Sequence, residues 1–263
     1  MSKILTSPRQ KVEKLTATGG THIGTSGWHY RHWRRCYYPP GLPADKWLTW
    51  YAKDFDCVEI NNSFYKLPPA ETIGRWCTDT PAGFLFAVKA SRLITHLKKL
   101  KDCEEPLAVF LERVSHFGPK LGPVLFQLPP HWHVNLARLE TFLDLLPAHC
   151  CYSFEFRDPS WHCSEVYELL RSRNIGLCLF DLAGMQPPEV ITARLIYVRL
   201  HGPGAAYCGS YSDATLTGWA AKIHRWTSTG RHVYVFFDND QAGHAINNAK
   251  RLIELLRTKR PSF

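Results

Sequence analysis

No Cys-x-x-Cys pair occurs in this sequence, although it carries nine cysteines, at positions 36, 57, 77, 103, 150, 151, 163, 178 and 208. A structural zinc site of paired cysteines therefore lacks its spacing. An odd number of cysteines, several inside apolar segments, reads as reduced thiols. No apolar run approaches the roughly 18 residues that cross a bilayer, so no membrane association is expected. The first twenty residues, MSKILTSPRQKVEKLTATGG, are basic and polar. They have no apolar h-region and no Arg-rich, Ser-rich bias, so they read as neither a secretory signal nor a transit peptide. A flexible extension over 1–20, one domain over 21–263 and a cytoplasmic location are the expectation. Solenoid repeats and low-complexity tracts are missing too. No Gly-x-Gly-x-x-Gly or Gly-x-x-x-x-Gly-Lys loop follows a strand pattern, which weighs against the open nucleotide-binding sheets. Without a coiled-coil or swapped-strand signal, a monomer with no specific protein partner is expected. Acidic side chains are the minority: 32 Lys and Arg against 23 Asp and Glu give a net charge of +9. That excess suits an anionic partner, either a small molecule or a nucleic acid. Solvated surface lysines are the plainer explanation.

Short β-branched or aromatic runs alternate with segments of helical period. Strands are predicted at 22–28, 57–64, 84–90, 123–130, 152–158, 176–181, 195–202 and 232–240. Helices are predicted at 44–55, 70–79, 105–117, 135–147, 164–174, 213–228 and 244–258, with Asn135 and Ser164 as caps. The link from the sixth strand to the seventh shows no helix pattern. Strands alternating with helices make parallel βαβ units. Eight of them predict an α/β fold, a single (β/α)8 TIM barrel.

Side chains in a barrel alternate between the interior and the helix layer. That alternation sends Glu59 and Asn61 inward, with Val58 and Ile60 toward the helices. It also aligns Lys89 with Leu85 and Ala87, Gln127 with Leu125, Glu155 with Arg157, and Arg199 with His201. Asp181 ends the sixth strand; Asp238, Asn239 and Asp240 end the eighth. Barrel active sites lie at the C-terminal ends of the strands. A barrel interior filled only for stability would be mostly Val, Ile and Leu, so polar ends on nearly every strand point to a site.

Several segments then fall into a known order: GTSGWHYRHW, YYPPGLP, VEINNSFYKLP, VKASRLITHLKKL, FQLPP, FEFRDPSW, YVRLHG and FDNDQAGHAINNA. Over about residues 22–256 the chain resembles the YecE-like family, domain-of-unknown-function family 72. The resemblance implies a TIM barrel and brings no settled activity. Ser63 stands where relatives carry Thr, Asp158 where His is common, and Asp238 where Asn is common. The last two changes add carboxylates.

Three readings of the pocket stay open. In the first, an enzyme acts on a phosphate-containing anion, as a phosphate-ester hydrolase would. Glu59, Glu155 and His201 would carry protons. Asn61, Tyr65, Lys89, His96, Gln127, Arg157, Arg199 and Asn239 would bind the substrate, with Arg supplying a bidentate fork. A divalent metal, Mn, Zn or Mg, could sit on Glu155, Asp181, His201 and Asp238 and activate water. In the second, the same groups perform metal-free acid–base chemistry, as in an isomerase or lyase. In the third, the protein binds a nucleic acid or phospholigand without catalysis, stacking bases on Trp28, Tyr30, Trp33, Tyr65 and Trp161. The same aromatics could equally seal the core.

Overall fold

The structure is a computed structural model that describes residues 19–258. The extension expected over 1–20 falls outside the described residues except for Gly19 and Gly20. Eight strands among the described residues make one parallel sheet: β1 (Thr21–Thr25), β2 (Cys57–Ile60), β3 (Leu85–Lys89), β4 (Leu121–Gln127), β5 (Tyr152–Glu155), β6 (Gly176–Asp181), β7 (Leu195–Leu200) and β8 (His232–Phe237). Their order is β1-β8-β7-β6-β5-β4-β3-β2. Every neighbour is parallel, as βαβ crossovers demand.

The ring closes between β1 and β2 with very little ladder. A bridge joins Ser26 to Glu59, and Gly27 N donates to Glu59 O at 2.8 Å. Below it, the Tyr51 hydroxyl accepts from Thr25 N at 2.9 Å and donates to Cys57 O at 3.1 Å. A side chain thus stands in for the missing backbone pairing. Gly24 allows the approach, since a Cβ there would lie 2.3 Å from Cys57 O.

Among the described residues seven α-helices clothe the sheet: α1 (Trp47–Tyr51), α2 (Ala70–Thr78), α3 (Glu104–Ser115), α4 (Leu136–Asp144), α5 (Ser164–Ser172), α6 (Asp213–Ser228) and α7 (His244–Thr258). No helix lies between β6 and β7, as expected. The helix predicted over 44–55 is α only at Trp47–Tyr51 and begins as a 3-10 turn at Ala44–Lys46. β2 stops four residues early because Asn62–Phe64 wind into a 3-10 turn. The Ser63 hydroxyl holds that turn to Ile60 O and Lys89 O, at 3.0 and 2.7 Å. β4 begins two residues before the predicted start and contains Pro123, which cannot donate to a ladder. The register with β3 shifts between Phe86 and Val88. Asn135 caps α4, its Oδ1 accepting from Arg138 N at 3.0 Å. Ser164 does not cap α5: it is the first helical residue, and its hydroxyl bonds Glu165 instead.

The alternation of side chains separates two apolar cores. Val58, Ile60, Phe126, Phe154, Leu177, Leu179, Val198 and Val235 join the layer under the helices. Cys57, Ala87, Leu125, Cys178, Leu195, Tyr197, Tyr234 and Phe236 fill the barrel. This inner cluster plugs the lower barrel, so the polar residues of the same parity are stacked on top of it, at the C-terminal mouth. No disulfide is seen among the described residues. No described helix is long and apolar enough to cross a membrane.

Candidate active site

Arg199 is the hub of the mouth. It rises from β7 and reaches across the barrel to β2. Its Nη2 and Nε donate to Glu59 at 2.8 and 3.0 Å, its Nη1 to Glu155 at 3.0 Å, and its Nη2 to Asp238 at 3.3 Å. Arg157, two residues beyond Glu155, donates from Nε to that same carboxylate. Buried charges persist only when paired in this way.

Glu59 has no capacity left over. Besides Arg199 it accepts from Ser26 Oγ at 2.7 Å and Tyr197 OH at 2.6 Å, and it is fully buried. Glu155 is equally sealed. Burial works against its ionisation, but the guanidiniums of Arg157 and Arg199 outweigh burial and hold the carboxyl well below the usual range.

The hydrogen bonds of His201 assign its tautomer. Arg157 Nη2 lies 3.0 Å from Nε2, and a guanidinium can only donate. Nε2 is therefore the acceptor, and Nδ1–H donates to Asp238 Oδ2 at 3.0 Å. Burial and neighbouring Arg199 push the imidazole pKa down, so the ring stays neutral. These three residues form the floor of the site, where each carboxylate oxygen, and the His201 Nε2, already accepts a hydrogen bond.

Spare capacity lies around them. Lys89 crosses the Phe64 ring, its Nζ 4.3 Å from the centroid. Among the described residues this amine has no hydrogen bond and no ion pair. Burial lowers its pKa to about 8, Arg199 assisting and the carboxylates of Glu155, Glu59 and Asp238 opposing. The Asp238 side chain is 13% exposed, against 0% for Glu59 and Glu155. Only its Oδ2 is engaged among the described residues. His96 sits in a π-turn, Leu93–Leu97, with its ring edge-on to Phe64 at 4.9 Å. Burial, with Lys89 and Arg92 nearby, lowers its pKa to about 4. Gln127 donates to Leu128 O at 2.9 Å. The buried Oδ1 of Asn61 has no partner among the described residues.

Other expected site residues lie elsewhere. Asp181 follows the parity of Leu177 and Leu179, so it points under the helices, where its Oδ1 accepts from Gly184 N at 3.3 Å. The quartet Glu155, Asp181, His201 and Asp238 is therefore not gathered on one face. Two guanidiniums already occupy Glu155. Among the described residues no group of three or more His, Cys, Asp or Glu is placed to hold a metal ion. Asp158 is a cap rather than a site carboxylate, accepting from Ser160 N and Oγ at 3.0 and 2.6 Å. Tyr65 is 80% exposed and turned outward, and its neighbour Phe64 is the ring that meets Lys89. Trp28, Trp33 and Trp161 are buried in the core, and Tyr30 donates to Ser26 O. A stacking surface built from these aromatics is thus not formed.

Asn239 is also buried, and it works from below. Its Nδ2 donates to Gly209 O and to Asn248 Oδ1, both at 2.8 Å. Asn248 in turn accepts from Tyr211 N at 3.1 Å and donates to Ser210 Oγ at 3.0 Å. The two amides pin the loop after β7. That loop opens at Gly202, whose φ of +119 and packing against Cys208 O exclude any side chain. The loop carries Tyr207 over the mouth, its ring edge-on to His201 at 5.4 Å. Sequence reading missed Tyr207 and Phe64, because irregular turns have no periodicity to place them. Replacing Asn248 with Ala should strand the Tyr211 amide and leave the Asn239 Nδ2 with Gly209 O alone. The expected cost is about 2–3 kcal/mol, with faster hydrogen exchange at Tyr211 and across 202–211.

Comparison with known proteins bears on the whole barrel. The family described as "Protein of unknown function DUF72" matches residues 22–262. The UPF0759 protein YecE of Escherichia coli K12 is 32% identical over 155 residues, or 59% of this chain and 54% of that protein. The chain thus spans about half the length of that curated relative. The UPF0759 protein YunF of Bacillus subtilis is 27% identical over 269 residues, covering 89% of this chain and 94% of that protein. A DUF72 family crystal structure from Thermotoga maritima superposes with a TM-score of 0.82 at 26% identity, covering 90% of this chain and 99% of the other. A second, from Enterococcus faecalis, gives 0.78 at 19% identity, covering 90% and 95%, and speaks to the fold alone. A family match running nearly end to end, on a barrel shared with solved members, establishes that this chain belongs to the DUF72 family.

Proposed function

We propose that the mouth of the barrel is the active site of an enzyme acting on a small anionic substrate, a phosphate ester or a carboxylate. One observation carries this reading: Lys89 is a partly buried cation with no counter-ion or hydrogen bond among the described residues, while Glu59, Glu155 and Asp238 are all engaged by Arg199. Lys89 is thus the cation of the cluster that has no direct partner among the described residues. Lys89 and the outer edge of the Arg157 guanidinium would hold the anion. Asp238, which keeps one oxygen free, is better placed than Glu59, Glu155 or His201 to accept a proton. Hydrolysis of a phosphate ester would use it to activate water, and proton transfer on a carboxylate would use it directly. The outer positions of the net-positive chain add long-range attraction for either.

The test is thermal unfolding with inorganic phosphate, glycerol phosphate and malonate. A ligand at a hundredfold excess over Kd adds about 2.7 kcal/mol, or roughly 5–10 °C for a domain of this size. Lys89→Met should abolish the shift while the free variant still melts cooperatively. An equal shift in Lys89→Met would place anion binding elsewhere and overturn the reading.

A further inference from the structure

We infer that Lys89 is an amine nucleophile, and that the substrate is an aldehyde or ketone that also carries a phosphate or carboxylate. The inference rests on the anion site proposed above and adds a covalent step to it. Three features of the cluster support it. First, Arg199 and Arg157 are committed to carboxylates, whereas the Lys89 amine is held only against the Phe64 ring. Second, a guanidinium cannot be deprotonated in a protein, but an ammonium that loses solvent can. Third, Lys89 ends β3, so its stem lies in the barrel wall and its nitrogen reaches the mouth.

The groups facing this amine are Glu59 from β2, His96 beyond β3, Glu155 of β5, Arg199 from β7 and Asp238 beyond β8. Burial, assisted by Arg199 and opposed by the three carboxylates, lowers the Lys89 pKa to about 8, so the neutral amine is populated near physiological pH.

The step is a condensation. The nitrogen lone pair attacks the carbonyl carbon and a C–N bond forms. The C–O bond then breaks, and the oxygen leaves as water with the two amine protons. The product is an imine, and no oxidant or reductant is consumed. Arg157 would hold the anionic end of the substrate while this occurs.

The experiment is borohydride trapping. The full-length protein is incubated with pyruvate, and separately with dihydroxyacetone phosphate, then reduced and mapped by peptide mass. The expected result is one reduced adduct per chain, on Lys89. Its initial rate should rise about fivefold between pH 7 and pH 8, as the neutral fraction of a group with pKa near 8 does. In the wild type, saturating inorganic phosphate should slow it. Lys89→Arg should lose the adduct yet keep stabilisation by phosphate, because it keeps the cation. Adducts spread over exposed lysines with none on Lys89 would overturn the inference. If phosphate stabilises the wild type but no adduct forms at Lys89, the amine role falls and the anion site stands. If neither occurs, both fall.

Discussion

Arg199→Met should cost about 3–5 kcal/mol of stability, the range for removing one partner of a buried ion pair. Methionine fills much of the arginine's volume, so the loss comes from charge rather than from a cavity. Glu59 would keep only the hydroxyls of Ser26 and Tyr197, and Glu155 only Arg157 as a direct ion-pair partner. The pH dependence carries the sign. In the wild type the Glu155 pKa is held down, so its contribution is complete above the unfolded carboxylate value and is lost as pH falls through the folded one. In the variant, burial is no longer offset by Arg199. The Glu155 carboxyl of the folded variant then takes up protons more readily than that of the folded wild type, so the variant's deficit shrinks as pH falls. Urea unfolding should therefore show a smaller difference from wild type at pH 5 than at pH 8. Adding Glu59→Gln to Arg199→Met should recover part of the loss, since the uncompensated charge goes with it. A loss of the same size at both pH values would mean that packing, not electrostatics, makes Arg199 matter.

Gly24→Ala should cost about 3 kcal/mol, the upper end for overpacking. The added Cβ would lie 2.3 Å from Cys57 O and 2.9 Å from the Tyr51 hydroxyl. Neither neighbour can move freely. The carbonyl belongs to β2, and the hydroxyl is the link between β1 and β2. The damage should therefore concentrate at the seam, with faster amide exchange at Thr25 than at strands on the far side of the barrel. Gly218→Ala is the matched control. It lies in α6 with nothing within 4 Å of its Cβ position, so alanine should stabilise by about 0.5–1 kcal/mol through helix propensity. Opposite signs for the same chemical change would show that the seam, rather than glycine content, sets the response.

Much of this architecture was legible in the sequence because the physics is periodic. Alternation placed Glu59, Lys89, Gln127, Glu155 and Arg199 above an apolar plug, where the structure has them. Applied to Asp181, the same parity would have excluded it, since it shares a face with Leu177 and Leu179. Its position at a strand end had suggested a metal ligand, but the side it faces is what counts. Asn239 failed in the same way, one residue out of phase with Asp238. What could not be read was which lone pairs remain free. Glu59, Glu155 and His201 have the right chemistry for proton transfer and are spent on Arg199, Arg157 and Asp238. That depends on how far a side chain reaches across the barrel, which no local pattern encodes. The turns that bring Phe64 and Tyr207 to the mouth were invisible for a related reason: they are fixed by single hydrogen bonds and positive φ values rather than by repeats.

The bond from Arg199 to Glu59 spans 140 residues of sequence, and this bears on how the chain is born. During synthesis, β2 and β3 emerge carrying Glu59 and Lys89 long before Arg199, and before Asp238 of the last strand. A nascent half-barrel would have to bury a carboxylate whose counter-ion does not yet exist, at a cost of several kcal/mol. The early strands therefore gain nothing from closing over their polar layer by themselves. The two halves of this barrel are not separable modules, and the last two strands act as the signal that the whole ring can shut.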